Sequence, residues 1–285
     1  MGRTGWRTPV HERDVILTGI PRSGTTLACW LLNQVSDVVA LVEPWIGGRF
    51  WLGRWNPEHA CRSLRRFFES ARRQIIRRRL APSCHINGQI PTNLVEERRV
   101  DRPRRPIARL GRVRIETPLS PSFWLIVKHP APFTALLDRL AHHFPTYAIV
   151  RHPLAVLASW NSVSLPVSEG RVPAAEWFDP SLRRALSRLQ DRWDRQVYLL
   201  GWFFETYRRV LPSEAILRYE DIVASGGRAL RAIVPEAAAL NVPVANRNAS
   251  PLYDAALMRA LAERLLRTDG SYWHFYSRES VERLI

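Results

Sequence analysis

The chain has 285 residues, 46% of them apolar, and sets 42 Lys and Arg against 26 Asp and Glu for a formal charge of +16. That length suits one large α/β domain or two small ones, with apolar content enough for a sizeable core. No apolar run is long enough to span a bilayer and residues 1–14 lack a signal-type core, so a cytoplasmic protein with no membrane span is expected.

Arginine supplies nearly all the positive charge, and Lys128 is the only lysine. Such a field favours anionic ligands and acidic substrates. Cys29, Cys61 and Cys84 are too widely spaced for a zinc site, and no metal is expected. Cys29 falls within an apolar helical repeat and reads as a small core residue.

In chain order, the first legible stretch is DVILTGIPRSGTTLACWLLNQV, residues 14–35. Val15, Ile16 and Leu17 predict a buried strand. Gly19, Pro21, Ser23 and Gly24 break it, and from Thr25 onward Leu27, Leu31 and Val35 recur at helical spacing. A strand, a glycine-bearing loop and a helix start together present backbone N–H groups at the positive end of a helix dipole, which makes an anion site. Against the pattern G-x-x-x-x-G-K-[ST], Gly19 and Gly24 hold the glycine positions and Thr26 the hydroxyl position, while Thr25 stands where the lysine belongs. Arg22 is the loop's cation and can fork onto oxyanions; Thr25 and Thr26 can add hydroxyl donors. The loop is an anion cradle without the lysine of ordinary triphosphate chemistry.

Val38 to Val42 predicts a second strand, ended by Glu43-Pro44-Trp45. Pro44 keeps Glu43 out of helical geometry, so its carboxylate sits at a strand's carboxyl end, on the rim where open α/β sheets bind ligands. Residues 46–120 are the least legible and are expected to be a basic insertion or lid. A helix over 58–80 carries Leu64, Phe67, Phe68, Ala71, Ile75 and Ile76 on one face and a solvated run of arginines, Arg72 among them, on the other. The Pro- and Arg-rich piece at 97–114 reads as a loop.

Phe123 to His129 predicts a third strand, closed by Lys128 and His129, and Ala131 to His143 a helix with Leu136, Leu137 and Leu140 inward. Tyr147 to Val150 is a fourth strand, and residues 154–161 are helical. Arg151 leaves that strand as a bidentate phosphate clamp, Pro153 suits a first helical turn, and Ser159 follows about two turns on. Residues 181–210 read as one or two amphipathic helices, 215–219 as a fifth strand and 251–267 as a last long helix, ahead of the aromatic cluster Tyr272, Trp273, Phe275 and Tyr276.

GIPRSGTTL resembles the 5′-phosphosulfate loop of sulfotransferases that use 3′-phosphoadenosine 5′-phosphosulfate (PAPS), in its bacterial-type variant. FPTYAIVRHPLAVLASW resembles their 3′-phosphate motif, a strand, Arg-x-Pro, and a Ser eight residues after the Arg, here Arg151 and Ser159. Arg218-Tyr219-Glu220-Asp221 is similar to their Tyr-Glu-Asp segment, whose Tyr lies near the adenosine. The resemblance covers 14–45 and 122–161, with a weaker echo at 215–222. It implies an α/β protein of three layers, α/β/α, around a mainly parallel sheet of the P-loop-like sulfotransferase fold, in a single domain over 1–285. It also implies transfer of a sulfuryl group from PAPS to a hydroxyl or amine of a small-molecule, glycan or natural-product acceptor, without nucleic acid.

On the resemblance, Arg22, Ser23, Gly24, Thr25, Thr26, Arg151, Ser159 and Tyr219 bind the donor, and Arg247 stands in for the family's Arg-Lys-Gly. Lys128 stabilises charge on the transferred or leaving group. The cytosolic-type Lys-x-His pattern fails here, because Pro130 holds the His position and His129, one residue off, belongs to the opposite strand face. Glu43 is therefore the expected base, as in carbohydrate and bacterial members, with His129 in reserve. Two other readings stay open. A P-loop kinase or other nucleotide-dependent transferase would want a Walker lysine and a magnesium-binding aspartate; an Arg-rich polyanion- or nucleic-acid-binding protein fits the charge but no motif. Trp45, Trp51 and Trp55 favour a sugar or aromatic acceptor.

Overall fold

In the computed structural model, which describes residues 11–45, 57–97 and 102–285, the apolar runs of the sequence become strands of one sheet. β1 (Asp14–Gly19) leads into α1 (Thr25–Leu32), followed by β2 (Val38–Val42), α2 (Pro57–Arg78), β3 (Leu80–His85), β4 (Arg109–Arg114) and β5 (Trp124–Lys128). Then come α3 (Pro130–Ala135), α4 (Leu137–Leu140), β6 (Thr146–Val150), α5 (Pro153–Asn161), α6 (Pro173–Phe178), α7 (Pro180–Arg188) and α8 (Arg192–Val210). β7 (Ile216–Arg218), α9 (Tyr219–Ala224), α10 (Ala255–Leu266) and α11 (Arg278–Glu282) complete the order.

The main sheet runs β2-β5-β1-β6-β7, and every pair in it is parallel. β1 is the central strand, with Leu17 level with Lys128 of β5 and Gly19 level with Ile149 of β6. The chain order divides on either side of β1, so its carboxyl end opens into the crevice where such sheets bind ligands. Strands buried on both faces read as continuous apolar runs, which is why β1, β2, β5 and β6 were legible. Val15, Leu17, Ala40, Ile126 and Ile149 face a layer holding α1 and α9. Ile16, Val39, Leu41, Leu125 and Val127 face the opposite layer, with α2, α3 and α4, and Ala148 and Val150 continue it against α5, α8 and α10. The architecture is three-layer α/β/α around a parallel sheet, as expected. Among the described residues no helix is long and apolar enough to cross a membrane.

Four elements differ from the expectations. The helix predicted over 131–143 breaks at Leu136 (φ −100°, ψ 7°) into α3 and α4. The fifth strand stops at Arg218, and Tyr219 opens α9. The loop expected at 97–114 contains β4, which pairs antiparallel with β3. Only Val113 of β4 is buried, so its sequence has no alternating apolar signal. The Ser83 hydroxyl of β3 accepts from Val42 N at 3.0 Å, which covers the free edge of β2. On α2, Leu64, Phe68, Ala71 and Ile75 are buried, but Ile76 is 53% exposed. Arg72 turns inward instead of lying on a solvated face: it pairs with Asp14 at 2.6 Å, donates to the Phe123 carbonyl at 2.8 Å and lies over the Phe123 ring at 4.6 Å. Trp51 and Trp55 lie outside the described residues.

Candidate functional site

The loop between β1 and α1 is held in a conformation that few residues adopt. Arg22 (φ 74°) and Gly24 (φ 87°) are both left-handed. A Cβ on Gly24 would lie 2.5 Å from Tyr219 Cδ2, so both the angle and the space require glycine there. Arg22 has no such licence, and neighbours hold it in place. Its carbonyl accepts from Arg151 Nη1 at 3.0 Å, its Nε donates to Ser159 Oγ at 3.3 Å, and its Nη1 donates to Asn93 Oδ1 at 2.8 Å. The rest of the loop is sewn to β6 and α5: Ile20 N and Ser23 Oγ both donate to the Ile149 carbonyl, at 3.1 and 2.8 Å, and Trp160 Nε1 donates to the Pro21 carbonyl at 2.8 Å. Ser23 is thus turned into the sheet, its proton already committed. No side chain caps α1, and the Thr25 and Thr26 hydroxyls have no hydrogen-bond partner among the described residues. The amides of this first turn and two hydroxyls are what the loop can offer an anion.

Arg151, expected as a phosphate clamp, is buried and already engaged. Nε donates to Asn248 Oδ1 at 2.8 Å and Nη2 to the Arg247 carbonyl at 2.5 Å, while its plane lies 4.6 Å from the Tyr219 ring centre. With its bond to the Arg22 carbonyl, it ties the loop to the segment around 247. Ser159 lies beside it in the chain of contacts, bonded to Arg22 Nε. Tyr219 is buried under Gly24, its hydroxyl accepting from Arg247 N at 3.0 Å. The Arg247 side chain itself is exposed.

The acceptors on these arginines are carbonyls, amides and hydroxyls, all neutral. Among the described residues, none of Arg22, Arg104, Arg151 and Arg247 forms an ion pair with a carboxylate. Burial, with Arg104 and Arg151 next to it, lowers Arg22 from its ordinary value to about 10, still a cation at neutral pH. Arg104 is lowered too, by burial first and then by Arg151 and Arg247, against a raising effect of Tyr253. A cluster of desolvated cations with no carboxylate paired to it, and Glu43 acting on Arg22 only through space, is an arrangement that an anion of more than one charge stabilises.

Across the rim, Glu43 and Lys128 meet. Lys128 Nζ donates to Glu43 Oε1 at 2.6 Å, and the lysine side chain is 1% exposed against 21% for the glutamate. Glu43 is itself left-handed (φ 43°), with its N–H donating to the Lys128 carbonyl at 2.8 Å. Burial works to raise its carboxyl, but Lys128, His129 and Arg22 outweigh it and hold the pKa below the ordinary value. His129 is lowered by burial, against the pull of Glu43. Both Glu43 and Lys128 act electrostatically on the His129 ring. His129 itself is still extended (φ −151°, ψ 120°), its N–H donating to the Leu17 carbonyl at 3.1 Å, before Pro130 opens α3. Trp45, partly buried, packs against the core, 4.3 Å from Phe67 and 6.3 Å from Phe133 in ring-centre distance.

Several residues at the site gave no sequence signal. Asn93 and Arg104 come from the insertion, where arginine is too common to stand out. Asn248 joins Arg151 to Glu220, whose Oε1 accepts from Asn248 Nδ2 at 2.7 Å and from His152 N at 3.0 Å. Only Glu220, inside the Tyr-Glu-Asp segment, could have been found from the sequence. Among the described residues no group of His, Cys, Asp and Glu side chains could hold a metal ion.

A model described as the sulfotransferase family matches residues 14–238. No curated protein matches the chain. Among solved structures, the sulfotransferase domain from the Synechococcus PCC 7002 olefin synthase is 15% identical with a TM-score of 0.36, over 98% of this chain and 96% of that one. Sulfotransferase STF1 from Mycobacterium tuberculosis H37Rv is 14% identical with a TM-score of 0.37, over 89% of this chain and 76% of that one. The family match spans every strand of the main sheet, the glycine loop and Arg22, Arg104 and Arg151, and by it the chain belongs to the sulfotransferase family.

Proposed function

We propose that the chain is a PAPS-dependent sulfotransferase acting on a hydroxyl or amine of a small-molecule, glycan or natural-product acceptor. The observation that carries this reading is the arginine cluster without a carboxylate partner, set around the β1–α1 loop beside the Lys128–Glu43 pair. A donor bearing phosphates at two ends of an adenosine matches a cluster with two centres, one on the loop and one at Arg151. When bound, the donor supplies an activated sulfuryl group. The loop amides, Arg22, Thr25 and Thr26 would hold its 5′ end, and Arg151, Ser159 and Arg247 its 3′-phosphate, with the Tyr219 ring near the adenosine. Ser23 contributes by fixing the loop. The cluster fits that ligand in charge and in the neutrality of its present partners.

Lys128 is buried at the rim as a fixed positive charge and would stabilise the charge that develops on transfer. Glu43 stays ionised at neutral pH and offers Oε2, which no described residue hydrogen-bonds, to take the acceptor's proton. His129 is the alternative base, on the observation that its buried ring is held largely neutral within reach of the same pair. The insertion at about 46–120, whose described residues touch the loop at Asn93 and the end of α5 at Arg104, acts as a lid within one domain spanning 1–285.

Calorimetric titration with adenosine 3′,5′-bisphosphate, ATP and 5′-AMP tests the donor reading. Selective binding of the bisphosphate supports it, and preference for ATP or no nucleotide binding overturns it. Glu43→Gln is expected to keep bisphosphate binding and to slow transfer by about 10² or more. Near-normal turnover would move the base to His129.

A further inference from the structure

Arg104 is the member of the cluster that neither phosphate motif contains. It belongs to the insertion, and its backbone docks alongside residues 162–164: its N–H donates to the Ser162 carbonyl at 3.1 Å, and its carbonyl accepts from Ser164 N at 2.8 Å. The side chain folds onto the end of α5, with Nη2 donating to Ser162 Oγ at 2.8 Å. Ser162 Oγ in turn donates to the Ser159 carbonyl at 2.8 Å, and the Ser159 hydroxyl accepts from Arg22. A continuous chain of contacts therefore runs from Arg104 through Ser162 and Ser159 to Arg22, and from the Arg22 carbonyl to Arg151.

Arg104 is 6% exposed and pairs with no carboxylate among the described residues. Seating a guanidinium there beside two other arginines costs desolvation and like-charge repulsion that two serine oxygens do not offset. A fold that needed only a tether could use a neutral side chain at this position. We propose that Arg104 is a cation of the 3′-phosphate subsite, carried in by the insertion, so that docking of the lid and reading of the 3′-phosphate are one event. This rests on the donor reading above. It adds from the insertion a second charge to the one that Arg247 brings from the C-terminal side, where Asn248 and Ala249 stand in place of the family's Lys-Gly.

The test is calorimetry on the full chain with adenosine 3′,5′-bisphosphate and 5′-AMP. Arg104→Gln removes the charge and leaves an amide N–H on a shorter side chain; Ser162→Ala removes the hydroxyl that accepts from Nη2 and keeps the charge. Arg104→Gln is expected to weaken the bisphosphate by about tenfold or more and 5′-AMP by less than about threefold, as loss of a charge-assisted contact to one phosphate does. Ser162→Ala is expected to leave the preference for the bisphosphate within about threefold of the parent. Equal losses for both nucleotides in Arg104→Gln, or a Ser162→Ala variant that matches it, would make Arg104 a tether and overturn the proposal. A parent chain that does not prefer the bisphosphate would overturn the donor reading, and this proposal with it; a parent that prefers it while Arg104→Gln is unchanged overturns only the role of Arg104.

Discussion

Gly24 pairs a left-handed backbone with the Tyr219 ring where a Cβ would go, so Gly24→Ala is expected to cost about 1–3 kcal/mol of stability and to weaken bisphosphate binding, read by urea denaturation and calorimetry. His152, next to Arg151, sets a pH dependence of a different kind. Its Nδ1 is buried without a hydrogen-bond partner, and burial lowers the ring from 6.5 to about 4. Between those values the unfolded chain binds the proton that the folded chain refuses, so stability falls as pH drops from about 6.5 towards 4. His152→Asn should reduce that slope, which melting temperatures at pH 7 and pH 5 will show. At this scale the sequence was legible where chemistry is local. The order Gly, Arg, Ser, Gly, Thr, Thr announces an anion loop by itself. It could not show that Ser23 spends its proton on Ile149, or that Arg151 is held by Asn248 and Arg247, because those partners lie far along the chain.

The tie between α2 and β1 carries an element-scale prediction. Arg72 and Asp14 are 11% and 7% exposed, so removing one leaves a buried charge uncompensated. Arg72→Ala should cost about 3–5 kcal/mol, measured by urea denaturation, and adding Asp14→Asn should recover part of that loss. A cycle in which the two substitutions simply add would show that the pair does not act as a unit. Strands β1, β2, β5 and β6 could be read from the sequence because burial on both faces leaves an unbroken apolar run. β4 could not be, since one buried valine makes no pattern, and neither could the inward turn of Arg72, one arginine among many on α2. The break at Leu136 had no signal either, as neither glycine nor proline marks it.

Across the whole molecule, the topology places the functional centre on a strand whose neighbours, β5 and β6, follow about a hundred residues later, and its loop on contacts that span 126, 129 and 139 residues, to Ile149, Arg151 and Trp160. The net charge favours an anionic ligand, and the two motifs mark the poles of the proposed site; the strand order that joins them was not written in any local stretch. Long-range closure of this kind has a kinetic meaning. The loop takes its shape only when the ends of those long segments have met, so a ligand that needs the finished loop has nothing to hold in the earlier, open chain. Adenosine 3′,5′-bisphosphate should therefore slow unfolding in stopped-flow denaturation and leave the refolding rate unchanged. Faster refolding with the ligand present would mean that the cradle exists before the sheet around it is complete.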